Sequence, residues 1–97
     1  MSTQAKGHVS GSKDTHKVAF YGLSTCIWCK KTRDFLESQD VAFDYTYVDL
    51  LQGQEKKDAI AQVRCWNSSV SFPTIVIDEQ QCVVGFKRDN LKELLEL

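Results

Sequence analysis

The segment VAFYGLSTCIWC, residues 18–29, is the most informative part of this 97-residue chain. Its first four residues are apolar and favour β structure, and Gly22 closes the run, so they predict a short strand. Residues 27–39 contain no proline or glycine, and their less polar side chains recur at the three-and-four spacing of an amphipathic helix. Cys26 and Cys29 therefore lie where a strand passes into a helix.

The rest of the chain alternates between strand and helix patterns. The predicted elements are a strand over residues 41–50, a helix over 54–66, a strand over 72–77, its hairpin partner over 81–86 and a terminal helix over 88–97. The order βαβαββα predicts an α/β fold with a four-stranded mixed sheet, parallel early and antiparallel late, and helices on both faces.

Length and composition restrict what the chain can do. Ninety-seven residues make one domain, and a formal charge of -1 provides no basic field for nucleic acid or for an anionic membrane surface. No apolar run reaches the roughly 18 residues of a membrane span, and the polar amino terminus is unlike a signal peptide, so we expect a cytoplasmic protein. Residues 1–16, rich in Ser, Thr, Gly and Lys, predict a disordered tail ahead of a domain over 17–97.

The CxxC spacing of Cys26 and Cys29 places two thiols one helical turn apart. Cys26, at the helix start, meets unpaired backbone N–H groups and the positive end of the helix dipole, which favour thiolate over thiol. Cys29 shares its helix face and is close enough to form a disulfide with it. We predict that Cys26 attacks a disulfide and that Cys29 resolves the product. Lys30 and Lys31 follow directly and add positive charge nearby.

The other two cysteines, Cys65 and Cys82, do not form a second close pair. The spacing of a zinc ribbon or zinc finger is therefore missing, and no metal site is predicted. Cys82 stands in a β-rich run, where a free cysteine packs as a small hydrophobe, and Cys65 ends the second helix. Packing is the favoured role for both, and an auxiliary or regulatory thiol near the active site is the alternative for Cys65.

Three further residues are predicted to face a substrate. Trp28, between the two cysteines at the helix tip, offers an apolar contact to the segment around a substrate's cysteine. Phe72 and Pro73 open the third predicted strand, where a cis-proline would offer backbone groups to an extended ligand. The alternative is a trans-proline that only ends the preceding loop.

From about residue 18 to residue 97 the chain resembles the glutaredoxins of the thioredoxin superfamily. The resemblance rests on three segments beside the CxxC motif, namely FYG at 20–22, FPTIVI at 72–77 and GFKRD at 85–89. It implies a thioredoxin-like fold and the reduction of disulfides, with Cys26 as nucleophile, Cys29 as resolving cysteine and Pro73 as the cis-proline. It also implies that Gly85 and Asp89 belong to a segment that holds glutathione.

The chain departs from the usual glutaredoxin pattern at Ile27 and Trp28, where Pro-Tyr is common, and at Val84, where a double glycine begins. Residues 85–89 are also similar to a segment of NrdH-type redoxins, which thioredoxin reductase reduces. The resemblance therefore implies three alternative electron donors: glutathione, thioredoxin reductase or a ferredoxin-linked reductase. It implies a monomer that needs no bound cofactor and acts on disulfide-containing proteins.

Two functions from other classes compete with the enzyme hypothesis. In the first, Cys26 and a glutathione thiol hold an iron–sulfur cluster across a dimer, as some glutaredoxins do. In the second, the chain is a binding adaptor whose cysteines never bridge. The enzyme hypothesis is favoured because the CxxC motif stands at a strand-to-helix junction with Pro73 downstream.

Overall fold

The computed structural model describes residues 4–97, which form five strands, three α-helices and one turn of 3₁₀ helix. In chain order these elements are β1 (Lys6–Val9), β2 (Val18–Gly22), α1 (Ile27–Ser38), β3 (Phe43–Tyr47), the 3₁₀ turn (Val48–Leu50), α2 (Gly53–Trp66), β4 (Thr74–Ile77), β5 (Gln81–Val84) and α3 (Arg88–Leu94). None of the helices in this described part is long and apolar enough to cross a membrane.

The five strands form one mixed sheet in the order β1-β3-β2-β4-β5. β2 and β3 run parallel, and the other neighbouring pairs are antiparallel. Gly22 at the end of β2 pairs with Tyr47 of β3, and Tyr21 pairs with Thr74 at the start of β4. The CxxC segment and the Phe72-Pro73 segment therefore leave the sheet at the same end. The predicted α/β architecture is confirmed from β2 onward.

Strand alternation sends side chains to two packed layers, so helices cover both faces of the sheet. In β2, Val18 and Phe20 face α1 and α3, whereas Tyr21 faces α2. The larger core lies on the α1 and α3 face and includes Val18, Phe20, Phe35, Leu36, Phe43, Ile75, Ile77, Val83, Leu91 and Leu95. Each fully buried Leu, Ile or Phe side chain contributes about 1.5–3 kcal/mol to folding.

The sheet has one more strand than the sequence predicts, because residues 6–9 pair along the free edge of β3. The prediction of a disordered tail is therefore wrong for residues 4–16, whereas residues 1–3 lie outside the described part. Gly7 stands opposite Tyr45, and a Cβ at Gly7 would lie 2.8 Å from the Tyr45 hydroxyl oxygen. The His8 Nδ1 atom lies 2.7 Å from an Asp44 carboxylate oxygen. Glycine in a polar segment usually favours disorder, but here the missing side chain of Gly7 lets the strand pack closely against the Tyr45 ring.

Candidate active site

Cys26 is the N-cap residue of α1. Its backbone is extended, its carbonyl accepts the first helical hydrogen bond from Lys30 at 3.0 Å, and its Sγ accepts one from the Cys29 N–H at 3.2 Å. The sulfur thus occupies the place where an N-cap oxygen usually satisfies a free amide. Negative charge on Cys26 Sγ would meet this N–H and the positive end of the helix dipole. The predicted position of Cys26 at the helix start is confirmed.

Cys29 is the inner member of the pair. It is buried, with 1% of its surface exposed, whereas Cys26 is half-buried. Burial, and after it a side-chain hydrogen bond between the Cys29 thiol and Cys26 Sγ, raises the pKa of the Cys29 thiol to about 12. The Leu23 N–H donates to Cys29 Sγ at 3.5 Å and acts in the opposite direction. Cys29 therefore stays a protonated thiol at neutral pH in the reduced protein.

Gly22 lets the start of α1 approach the sheet, a role beyond its predicted place at the end of a strand. A Cβ at this buried position would lie 2.8 Å from Phe20 Cζ and 3.3 Å from Cys29 Cβ. Carbon atoms prefer separations of about 3.5–4.0 Å, so a side chain here would press on both. Gly22 thus sets the depth at which Cys29 is buried.

The two residues between the cysteines expose large apolar side chains to solvent. Ile27 is 59% exposed and Trp28 54% exposed, although both are apolar. The Lys31 Nζ atom lies 4.7 Å from the centre of the Trp28 ring, within the range of a cation–π contact. Lys30 instead pairs with Asp34 at 3.0 Å. The position predicted for Trp28, at the helix tip and open to a substrate, is confirmed. Exposed Ile27 lies beside it, although no pattern in the sequence predicts a substrate contact there.

The Phe72-Pro73 segment lies at the same end of the sheet as the CxxC loop. The Phe72–Pro73 peptide bond is cis, so the trans alternative is wrong. The Pro73 carbonyl accepts a hydrogen bond from the Gly85 N–H at 2.8 Å, and Gly85 has a φ of +84°, a value that favours glycine. Asp89 is exposed in the first turn of α3. The structure thus joins Pro73 and Gly85 directly, and Asp89 follows Gly85 by four residues.

A groove of about 670 Å³ opens beside Cys26 on the side of β3. Leu23, Ser24 and Lys30 line it near the sulfur, and Tyr45 and Arg33 line it further away. The Arg33 guanidinium stacks 4.5 Å from the centre of the Tyr45 ring. This groove leaves the Cys26 sulfur accessible on a side that Pro73 and Gly85 do not line.

The remaining cysteines lie elsewhere. Cys65 is exposed on α2 and lines a second groove, of about 540 Å³, between α2 and the sheet. The packing role favoured for Cys65 is therefore wrong. Cys82 is half-buried in β5, and its thiol lies 3.7 Å from the Trp66 carbonyl oxygen. All four cysteines are free, and within residues 4–97 no three His, Cys, Asp or Glu side chains come together as a set of metal ligands.

Comparison with known proteins places the chain in a family. A family model described as Glutaredoxin matches residues 18–82, which is more than half of the chain. The chain belongs to the glutaredoxin family. The match begins at β2, spans the CxxC motif and the cis-proline, and ends half-way along β5. The resemblance drawn from the sequence is thereby confirmed.

Solved structures and a curated relative agree with this assignment. The chain is 49% identical to the glutaredoxin from Methanosarcina mazei Go1, with a TM-score of 0.90 over 97% of this chain and 90% of that one. It is 47% identical to Methanosarcina acetivorans methanoredoxin, with a TM-score of 0.91 over 96% and 98% of the two chains. A glutaredoxin-like 8.6 kDa protein in a rubredoxin operon of Clostridium pasteurianum is 28% identical over 79 residues, 81% of this chain and 97% of that protein.

Proposed function

We propose that the chain is a dithiol thiol–disulfide oxidoreductase that reduces protein disulfides or glutathione mixed disulfides through Cys26 and Cys29. The observation that carries this proposal is the asymmetry of the pair. Cys26 Sγ accepts the Cys29 amide at the helix start, and Cys29 is a buried thiol one turn inward. The accessible sulfur is the one set up to hold negative charge, and the shielded sulfur is the one set up to act second.

In the first step, the Cys26 thiolate attacks one sulfur of the substrate disulfide. A new bond forms between Cys26 Sγ and that sulfur, and the substrate S–S bond breaks. The other substrate sulfur leaves as a thiolate and takes a proton from solvent. The Cys29 N–H, 3.2 Å from Cys26 Sγ, stabilises the attacking thiolate before the reaction.

In the second step, Cys29 resolves the mixed disulfide. Its thiol loses a proton, and the resulting thiolate attacks Cys26 Sγ. The Cys26–Cys29 disulfide forms while the second substrate sulfur leaves as a thiolate, so two electrons have passed from the protein to the substrate. Because burial raises the pKa of Cys29 to about 12, loss of this proton is the demanding part of the step.

The residues around Cys26 suit a polypeptide or a glutathionyl group. Exposed Ile27 and Trp28 offer apolar contact to the residues beside a substrate cysteine. The proposed ligand segment combines the half-buried Phe72, whose backbone can pair with an extended chain, with Gly85 and Asp89 for glutathione. Pro73 is fully buried, and its carbonyl already accepts the Gly85 N–H, so its proposed role is to hold Phe72 and Gly85 in place. Lys30 and Lys31 add positive charge beside the motif, although the ion pair with Asp34 partly neutralises the charge of Lys30.

The activity is tested first with a reductant that needs no partner. With dithiothreitol supplying electrons, the wild-type protein is expected to reduce a disulfide-containing protein, and Cys26→Ser is expected to abolish turnover. Cys65→Ser, which removes an exposed thiol from α2, is the matched control and should keep full activity. An active Cys26→Ser variant would contradict the proposal.

The electron donor is tested in coupled reactions run side by side with a glutathione mixed disulfide as substrate. One contains glutathione and its reductase, and the other contains thioredoxin reductase without thioredoxin. Turnover with glutathione supports glutathione as donor, whereas turnover only with thioredoxin reductase makes the chain an NrdH-type redoxin. Silence in both, with dithiothreitol-driven activity intact, points to a ferredoxin-linked reductase.

The iron–sulfur alternative stays a prediction with its own test. Residues 4–97 bring no third ligand to Cys26 and Cys29, so a cluster would need further ligands, such as glutathione thiols and a second copy of the chain. Incubation with ferrous iron, sulfide and glutathione, followed by visible absorption and size-exclusion chromatography, tests it. A coloured dimer that Cys26→Ser prevents would support the alternative, and a colourless monomer would contradict it.

A further inference from the structure

We propose that Asp49 is a positioning residue for the resolving step, acting through Ser24 on the loop that holds Cys29. Asp49 lies in the 3₁₀ turn after β3, on the neighbouring strand connection rather than on the CxxC loop itself. One carboxylate oxygen accepts the Ser24 N–H at 2.9 Å, and the other accepts the Ser24 hydroxyl at 2.5 Å. Both carboxylate oxygens thus hold a single residue of the loop.

The Ser24 loop contacts both cysteines. The Leu23 carbonyl accepts the Cys26 N–H at 3.1 Å, which closes a turn over residues 23–26. The Leu23 N–H donates to Cys29 Sγ at 3.5 Å. Leu23 lies between Gly22, the last residue of β2, and Ser24, so Asp49, by holding the Leu23–Ser24 peptide, helps to keep the Leu23 N–H directed at Cys29 Sγ.

The Leu23 amide matters most when Cys29 becomes a thiolate. Cys29 is buried, and an unpaired negative charge in such surroundings is strongly disfavoured. An N–H donor aimed at its Sγ offsets part of that cost. The first attack depends on a different donor, because the Cys26 sulfur accepts the Cys29 N–H within the helix. Loss of the Asp49 contact should therefore slow the second step more than the first.

Charge and positioning make opposite contributions at Asp49. Partial burial raises the pKa of Asp49, but the Ser24 hydrogen bonds outweigh it and hold that pKa below its usual value, so the carboxylate is ionised at neutral pH. The negative charge of Asp49 disfavours a thiolate at Cys29. Its hydrogen bonds to Ser24 instead favour that thiolate, because they help to place the Leu23 N–H against Cys29 Sγ. Asn in place of Asp removes the charge and keeps an acceptor for the Ser24 N–H, and Ala removes both.

The experiment separates the two steps in a single turnover and rests on the proposed function. Reduced protein is mixed with a peptide–glutathione disulfide, quenched in acid at intervals and weighed by mass spectrometry. The adduct on Cys26 reports the first step, and its conversion to the Cys26–Cys29 disulfide reports the second. In Asp49→Ala we expect conversion to slow about tenfold, while adduct formation stays within about twofold of the wild-type rate. In Asp49→Asn we expect conversion to stay within about threefold of the wild-type rate.

Asp44→Ala provides the control, because Asp44 is an exposed carboxylate on β3 whose side chain contacts His8. The rates of both steps should be unchanged in this variant. If Asp49→Ala does not fold, Ser24→Ala replaces it, with conversion expected to slow about threefold and Ser24→Thr to restore it. Unchanged conversion, equal slowing of both steps, or an Asp49→Asn variant as slow as Asp49→Ala would overturn the assignment. If the wild-type protein forms neither the adduct nor the Cys26–Cys29 disulfide, the proposed two-step function itself fails.

Discussion

Gly22→Ala tests how closely the active-site helix must approach the sheet. The added methyl carbon would lie 2.8 Å from Phe20 Cζ and 3.3 Å from Cys29 Cβ, against a preferred separation of about 3.5–4.0 Å. The Phe20 ring would have to move by about 0.7 Å or more to restore that separation. Phe20 is 1% exposed and makes edge contacts with Phe43 and Tyr47, so it has little room to move.

Overpacking of this kind costs about 1–3 kcal/mol of folding free energy. For a chain of this length each kcal/mol lowers the melting temperature by about 4–8 °C, so we expect a fall of roughly 5–20 °C for Gly22→Ala. The measurement is thermal unfolding of the reduced protein, followed by circular dichroism. In the single-turnover assay, displacement of Cys29 should also slow formation of the Cys26–Cys29 disulfide.

Gly53→Ala is the matched control, since the chemical change is the same. No neighbour lies within 4 Å of a Cβ at Gly53, but its φ of +59° disfavours alanine by about 1–2 kcal/mol. This variant should lose stability and leave disulfide formation at wild-type rate. A Gly22→Ala protein that melts within 2 °C (about 0.5 kcal/mol) of wild type would show that no close contact exists at Gly22. Equal slowing of disulfide formation in both variants would show that Gly22 does not position Cys29.

Three further predictions concern single side chains. Burial raises the pKa of Cys29 from about 9 to about 12, so the unfolded chain loses the Cys29 proton at lower pH than the folded protein does. The free energy of unfolding, measured in urea, should therefore fall between pH 9 and pH 12 in the reduced wild-type protein and fall less in Cys29→Ser. An equal pH dependence in the two proteins would contradict this. The hydrogen bond to Asp78 raises the pKa of His16 above 6.5, and an NMR titration should detect this increase in wild type and its loss in Asp78→Asn. The stabilisation of the folded protein by this pair is fully present below pH 6.5 and is lost as the pH rises through the raised pKa. Trp28→Ala should raise KM for a protein disulfide severalfold and leave turnover of a small disulfide unchanged, and equal losses would argue against a docking role.

Local patterns in the sequence were sufficient for the elements that carry the cysteines. The apolar run before Gly22 and the helical spacing after Cys26 predict the strand-to-helix junction, because both depend on side chains within one turn or one strand. The exposed position of Trp28 follows from the same spacing. The predicted helix over 27–39 ends one residue later than the observed α1, which ends at Ser38.

Contacts between distant segments account for what the sequence did not predict. β1 is polar and glycine-containing, and it is ordered because β3 presents a free edge with Tyr45 opposite Gly7. The alternating pattern over residues 41–50 predicts a strand through Asp49, but the chain leaves the sheet after Tyr47, and the 3₁₀ turn brings Asp49 to Ser24. Neither pairing has a signal in the local sequence, since each depends on a partner more than 20 residues away.

Cys26 is expected to attack the substrate and Cys29 to resolve the mixed disulfide, and trapping that mixed disulfide shows which cysteine reacts first. Cys29→Ser and Cys26→Ser are each reacted with a peptide–glutathione disulfide, and peptide mapping by mass spectrometry locates the adduct and separates it from adducts on exposed Cys65. We expect a stable adduct on Cys26 in the Cys29→Ser protein and an unmodified Cys29 in the Cys26→Ser protein. An adduct on Cys29 in the Cys26→Ser protein, or none on Cys26 in the Cys29→Ser protein, would contradict it.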